Sequence, residues 1–342
     1  MRQDAYTEHS GKAVEDKRFS HMMAITLNPN SGYKEGIIRC VTSREGDLEI
    51  KGYVDRSELR LVSETVPNHF SLGNPLTITG ENEIVGMLHE EDLDFLGLED
   101  PDIWVDEATG LLHLYFTIPF ISRDKQKRHS LVHLGHAIGN NLDSLKMTEP
   151  VLKASIDSYE NAHAKEVSIA PINTQGIRLN LFEGHNKIAG DRDTYSTVRI
   201  ARARNMGESW EFGETVFHPA EHHIPWIGGH ASPGPLFSKE FINVGEGKLL
   251  GVINGREANQ KIGDVVKYGM FSIGLFIYDY ENGKIDWVSP EPFIQDSEAK
   301  TITFASQFVE TNSGKGILYA HVDDSFVRAY TLYAEGIRAL LP

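Results

Sequence analysis

Cysteine is nearly absent from this chain of 342 residues. Cys40 stands alone, so no internal disulfide framework can form, and a reducing compartment is the expected setting. Positive charge is also scarce: Lys and Arg number 33 against 49 Asp and Glu, a formal net charge of −16. Binding along nucleic-acid phosphates or on an anionic membrane needs a basic face, so neither nucleic acid nor membrane is an expected partner. No stretch approaches the roughly 20 apolar residues of a membrane-spanning helix. The N-terminus, MRQDAYTEHSGKAVEDKRFS, is polar and lacks the apolar core of a secretory signal. Residues 1–20 therefore read as a loosely held polar lead-in and residues 21–342 as one folded domain. A cytoplasmic location is expected, with a mature secreted form left open. Helix patterning is thin too, since EEDLDFLGLED is short and runs into Pro101.

What the chain does have is repetition. LLHLYFT, RLNLFEG, KLLGVIN and GILYAHV begin at 111, 178, 248 and 316, intervals of 67, 70 and 68 residues. Each is followed by a second apolar segment: VHLGHAI (132–138), VRIARAR (198–204), FSIGLFI (271–277) and FVRAYTL (326–332). Several alternate large apolar with small or polar residues, the period of a half-buried strand. Turn-rich pieces such as DEATG, ENGK, NSGKG and GEGK separate them. GIIRCVT (36–42) with DLEIKGYV (47–54) reads as a fainter upstream copy. Five units, each long enough for four strands, predict an all-β fold, a five-bladed β-propeller with a central funnel site. A pair of sandwiches has no reason to repeat at so constant an interval.

The innermost strand of each blade lines the funnel. Upstream of the repeated strands lie GLEDPDIWV (97–105), HAKEVSIAP (163–171), GGHASPGPLF (228–237) and TITFASQFV (301–309). They place Glu99, Asp100, Lys165, Glu166 and His230 where a strand otherwise turns apolar, and Asp323 and Asp324 follow GILYAHV. Carboxylates from three blades can thus converge on one funnel.

These segments carry a resemblance. GLEDPDIWVDEATGLLHLYFT is similar to the Glu-Asp-Pro-Arg segment of glycoside hydrolase family 130, whose members are five-bladed propellers. NAHAKEVSIAPINTQGIRLNLFEG resembles that family's Lys-containing blade, GHASPGPLF its Gly-x-Gly-x-Pro-Pro segment, and ILYAHVDDSFVRAYTL its last-blade pattern. The likeness runs over about residues 25–335. It implies cleavage of the non-reducing-end sugar of a short oligosaccharide, plausibly a β-mannoside, with Asp100 as general acid. Glu166 and Asp323 stand as candidates for the base or for sugar hydroxyls. Glu99, Lys165, His230, Arg256 and Trp226 are the expected substrate contacts. The family's Arg is replaced by Asp102, which would repel phosphate, so hydrolysis is favoured over phosphorolysis. No cofactor is expected, with inorganic phosphate a co-substrate only if the enzyme is a phosphorylase.

Plainer readings stand beside these. Asp100 before Pro101 can be a turn residue, and Lys165–Glu166 an exposed ion pair. His133 and His136 are expected to pack between blades. In PAEHHIPW (219–226), adjacent histidines on a strand would point to opposite faces, so no metal set is expected there. A non-catalytic propeller that binds carbohydrate or protein is the alternative from another class. A furanosidase-type relative fits less well, because no blade-one carboxylate stands near 26–34 and HASPGP lacks a Glu. Whether the chain forms a homo-oligomer is left open.

Overall fold

A computed structural model describes residues 4–124, 130–186, 195–312 and 314–342. Residues 1–3 of the lead-in and Ser313 of the NSGKG turn lie outside it. Five antiparallel units follow one another, each built from an inner strand outward. Unit 1 comprises Met22–Leu27, Glu35–Glu45, Val54–Val66 and His69–Pro75, and unit 2 Glu99–Val105, Leu112–Ser122, Ser130–Gly139 and Lys146–Met147. Unit 3 comprises Lys165–Ser168, Arg178–Asn186, Tyr195–Ala203 and Glu211–Phe217, and unit 4 His230–Leu236, Lys248–Arg256, Phe271–Asp279 and Lys284–Val288. Unit 5 has Thr303–Asn312, Lys315–Val322 and Phe326–Tyr333, with Tyr6–Glu8 as its outermost strand. The two repeated sequence families are thus the second and third strands of units 2 to 5. They are apolar almost throughout because each sheet is covered on both faces by its neighbours.

Five hydrophobic clusters join consecutive units. Ile37 and Leu59 meet Leu114 and Phe116 between units 1 and 2, and Tyr115 and Leu134 meet Phe182 and Ala201 between units 2 and 3. Leu181 and Val198 meet Ile253 and Phe276, and Leu250 and Val252 meet Leu318 and Tyr330. The fifth cluster joins Ile317 and Tyr319 of unit 5 to Ile25 and Ile38 of unit 1. The ring is closed, and the fold is an all-β propeller. Hydrogen bonds near the centre stitch neighbouring units together. Ser168 donates to Gly234 O (2.6 Å), Asn254 and Ala305 exchange two bonds, and Gln307 accepts from Thr26 Oγ1 (2.9 Å) and Leu27 N (2.8 Å).

Three segments depart from the sequence reading. Part of the lead-in is built into unit 5: Ala5 is fully buried, and Glu8 receives a hydrogen bond from Ser297 (2.6 Å) and pairs with Arg328 (3.4 Å). A strand of three residues is too short to show a period. DLEIKGYV is a connecting loop, and the third strand of unit 1 starts only at Val54. A helix, Glu81–Leu88, stands between units 1 and 2, and EEDLDFLGLED contributes the short strand Leu93–Phe95 instead of a helix. No helix of the described residues is long and apolar enough to cross a membrane.

Because Tyr6–Glu8 pairs with Phe326–Tyr333, deletion of residues 1–9 is expected to lower the melting temperature by about 3–5 °C or more. A thermal melt by circular dichroism checks this.

Candidate active site

Every inner strand carries a bulge, between Met23 and Thr26, Glu99 and Asp102, Lys165 and Ser168, Pro233 and Leu236, and Ala305 and Gln307. Bulges re-aim side chains and favour the surroundings of active sites. In units 2 and 3 the bulged residues are Asp100 (φ +46°) and Glu166 (φ +52°), both in left-handed backbone that an L-residue enters only at a cost of about 1–3 kcal/mol. The equivalent residue of unit 1, Ala24 (φ +50°), shares the bend and has no group to present. The five bulged segments enclose a cavity of about 160 Å³, lined among others by Asp100, Asp102, Glu166 and Gln307.

Asp100 and its neighbour Glu99 are held by one guanidinium. Arg39, from the second strand of unit 1, donates from Nη1 to Asp100 Oδ1 (2.8 Å) and from Nη2 to Glu99 Oε1 (2.7 Å), while its Nε bonds Ser57 Oγ (2.9 Å). Burial raises the Glu99 pKa to about 7 against the opposing pull of Arg39. Burial, with the nearby Asp100 charge, also pushes the Glu166 carboxyl well above the usual carboxylate range, and Lys165 and Arg39 offset only part of that. Glu166 therefore holds its proton more tightly than an ordinary glutamate, beside the ion-paired Asp100.

On the third side stands Glu183, whose oxygens lie 3.5 Å from Lys165 Nζ and 3.1 Å from His230 Nε2. Burial alone would raise its pKa; His230 and Lys165 outweigh it and hold Glu183 well below the usual range. Burial would lower Lys165, and the charges of Glu183, Asp100 and Glu166 keep it raised instead. Burial lowers His230, with Glu183 opposing. Across the strand pair from His230 is Arg256, stacked 4.2 Å from the Tyr268 ring centroid.

Units 4, 5 and 1 complete the rim with aromatics. Phe271 meets His230 (4.8 Å) and Phe304 (5.5 Å) edge-on, Phe304 stacks on His321 (4.9 Å), and Tyr53 meets Tyr268 (6.3 Å). Asp324 sits in this collar, taking hydrogen bonds from Tyr53 OH (2.7 Å) and pairing with His321 Nε2 (3.1 Å). Burial would raise Asp324, but the bonds from His321 and Tyr53 and the Arg39 charge keep it ionised. Above the collar, the hairpin Gln260–Ile262/Val265–Lys267 of unit 4 reaches the 47–53 loop of unit 1, through Lys51 N to Val266 O (3.0 Å) and Tyr268 N to Glu49 O (3.0 Å).

Glu99, Asp100, Lys165, Glu166, His230 and Arg256 thus share one funnel mouth, as the sequence reading expected of them. Two candidates stand elsewhere. The Asp323 carboxylate accepts the backbone N–H groups of Thr301 (2.8 Å) and Ile302 (3.0 Å) and ties down the 300–302 loop, so Asp324 is the carboxylate that reaches the collar. Two consecutive left-handed residues, Asp323 (φ +50°) and Asp324 (φ +42°), make the turn that separates them. Trp226 is a core residue: it is buried, donates from Nε1 to Ser289 O (3.0 Å) and packs with Phe276 and Ile253, out of reach of a sugar. PAEHHIPW forms a helical turn, Pro219–His222, with His222 stacked on Phe217, instead of the strand assumed for it. His133 and His136 are buried, bonded to Ala154 N (2.9 Å) and to His113 (2.9 Å) and Thr148 (2.8 Å). The sequence reading missed Arg39, Glu183, Tyr53 and His321, and of the pair Asp323 and Asp324 it chose Asp323. Arg39 in GIIRCVT and Glu183 in RLNLFEG each put a lone charge inside an apolar strand, which was the available signal.

Solved structures share this architecture. A β-1,2-mannobiose phosphorylase from Listeria innocua, in complex with β-1,2-mannobiose, aligns at TM-score 0.58 with 12% identity, over 98% of this chain and 90% of that one. The fold is that of the propeller glycosidases and phosphorylases. A mannose phosphorylase from Leishmania mexicana in complex with phosphate ion aligns at 0.52 (12% identity; 98% and 92%). The arabinanase Arb43A of Bacillus subtilis aligns at 0.51 (12% identity; 96% and 97%). No family model matches the chain, and no curated protein does.

Asp102 offers a test of the buried charge. Burial raises its pKa to about 7, above its unfolded value, so the folded chain holds the proton more tightly. The resulting penalty is absent at low pH, grows as pH rises past the ordinary carboxylate range and is complete above about 7. Asp102→Asn is therefore expected to melt higher than the parent at pH 8, with the gain shrinking towards pH 4. A series of thermal melts against pH reads it.

Proposed function

We propose that the chain is a glycoside hydrolase that removes the non-reducing-end sugar of a short oligosaccharide, a β-mannoside being the first candidate. The observation that carries this reading is the pair on adjacent bulges: Glu166, whose pKa is raised, next to Asp100, which is ion-paired with Arg39, with an aromatic collar at the same funnel mouth. Glycosidic cleavage needs such a division between two carboxyls. Glu166 gives its proton to the glycosidic oxygen as the bond from the anomeric carbon breaks. Asp100 takes a proton from the water whose oxygen bonds to that carbon. This exchanges the role the family resemblance assigned to Asp100, and the Arg39 pairing is the reason. The collar of Tyr53, Tyr268, Phe271 and Phe304 offers faces for a sugar ring.

Hydrolysis is favoured over phosphorolysis because the cations are already claimed, Arg39 by Glu99 and Asp100 and Lys165 by Glu183, which also engages His230. A phosphate dianion there would meet more carboxylates than free cations. The mannoside comes from the neighbouring folds, one of which holds mannobiose. The strap between units 4 and 1 accords with a chain end rather than the middle of a polymer. Cys40, buried with its thiol pKa pushed up to about 12, is inert and fits a cytoplasmic setting.

The test is a product assay by NMR with β-1,2-, β-1,3- and β-1,4-linked mannobioses and gluco and arabino analogues, with and without inorganic phosphate. Free sugar released equally in both arms is expected. A phosphate-dependent sugar 1-phosphate would make the chain a phosphorylase, and silence across the panel would favour a binding propeller. Asp100→Asn and Glu166→Gln are each expected to lower turnover by about 10²–10⁴-fold, with Glu166→Gln melting within a few degrees of the parent.

A further inference from the structure

Among the described residues of the mouth, Arg256 is a cation that makes no ion pair. Arg39 is shared by two carboxylates, and Lys165 and His230 are both engaged by Glu183. Among the described residues Arg256 makes no ion pair, and its Nε is buried with no hydrogen-bond partner. The guanidinium lies between two rings, with Tyr268 at 4.2 Å and Phe271 at 5.3 Å. Glu183 is the carboxylate whose charge reaches Arg256, and the ion pairs it makes are with Lys165 and His230. Burial pulls the Arg256 pKa down, and the neighbouring Tyr268 and Glu183 offset only part of that. Such a charge is costly unless a ligand completes it.

The rings flank the guanidinium, Tyr268 also holds it by a side-chain hydrogen bond, and Nε is left without a partner. A planar carboxylate fits the edge of a guanidinium with two parallel hydrogen bonds. It also brings one negative charge to match one unclaimed positive charge. A phosphate dianion would bring a second charge into a site that already holds Glu99, Asp100, Glu183 and Asp324.

We propose that Arg256 is a specificity residue that receives a carboxylate carried by the substrate, so that the glycoside cleaved is a uronide or another acidic sugar. The inference rests on the glycoside reading given above and narrows its substrate class. Tyr268 holds the guanidinium in place and belongs to the segment that bridges to the 47–53 loop through Glu49. Recognition of the acidic sugar and the strap across the mouth are thereby parts of one arrangement.

The experiment titrates the full chain, by ligand-observed NMR, with methyl glycosides of mannose, glucose and galactose and with the corresponding methyl uronides. Inorganic phosphate alone is a third arm. At least one uronide is expected to bind on the order of tenfold more tightly than its neutral counterpart. That ratio is expected to fall towards one in Arg256→Met and to recover in part in Arg256→Lys, which keeps the charge but not the fork. Arg256→Met is also expected to melt no lower than the parent, because it removes a buried charge that makes no ion pair and keeps an apolar stem between the rings. Neutral glycosides that bind as tightly as uronides would overturn the proposal and leave the glycoside reading intact. Phosphate that binds through Arg256 and displaces the uronide would overturn it in favour of a phosphate site. A large drop in the melting temperature of both variants would assign Arg256 to structure and contradict it. If neither sugar series binds, the glycoside reading falls with it.

Discussion

The arrangement of the mouth depends on Arg39. One guanidinium, carried on the second strand of unit 1, spans the gap to unit 2 and holds Glu99 and Asp100 at 2.7 and 2.8 Å. Without it, two adjacent carboxylates would be buried side by side, each opposing the other's ionisation. With it, Asp100 keeps a fixed position, and its charge falls on Glu166 of unit 3. Burial, with that charge added, raises the Glu166 pKa. The division of labour between the two carboxyls thus follows from an ion pair made by a third unit.

A propeller suits such a site because its inner strands converge while its hydrophobic contacts stay between the sheets. The bulge is repeated in every unit, yet only Asp100 and Glu166 use it to present an acid. Ala24 occupies the same left-handed bend and adds no group. Backbone strain is therefore a property of the scaffold, and chemistry enters where the bulged residue carries a carboxyl. The aromatic collar stands on units that contribute no bulged carboxyl, with Asp324 as the acid inside it.

Much of the fold was legible in the chain. Intervals of 67, 70 and 68 residues marked units 2 to 5, since the second strands of a propeller are buried on both faces and stay apolar. Unit 1 was fainter because its third strand, VDRSELRLVSETV, is polar at alternate positions and its preceding loop serves the strap. The closing strand Tyr6–Glu8 pairs with residues more than 300 positions away, and three residues carry no period. In the site, charges next to inner-strand starts were visible as Glu99, Asp100, Lys165, Glu166 and His230. Choosing Asp323 over Asp324 failed because adjacent residues diverge at a turn whose left-handed backbone no pattern announces. Trp226 failed for a different reason, as a loop aromatic looks the same in sequence whether it faces solvent or fills a core.

The most direct test of the central claim is the ionisation of Glu166 itself. The side-chain carboxyls would be labelled with ¹³C and titrated, with Glu166→Gln identifying the signal. The expected result is a carboxyl that keeps its proton well above the ordinary glutamate range and titrates lower in Asp100→Asn, where the neighbouring charge is gone. A Glu166 signal with an ordinary carboxylate midpoint, unmoved by Asp100→Asn, would contradict the paired-carboxyl account of the site.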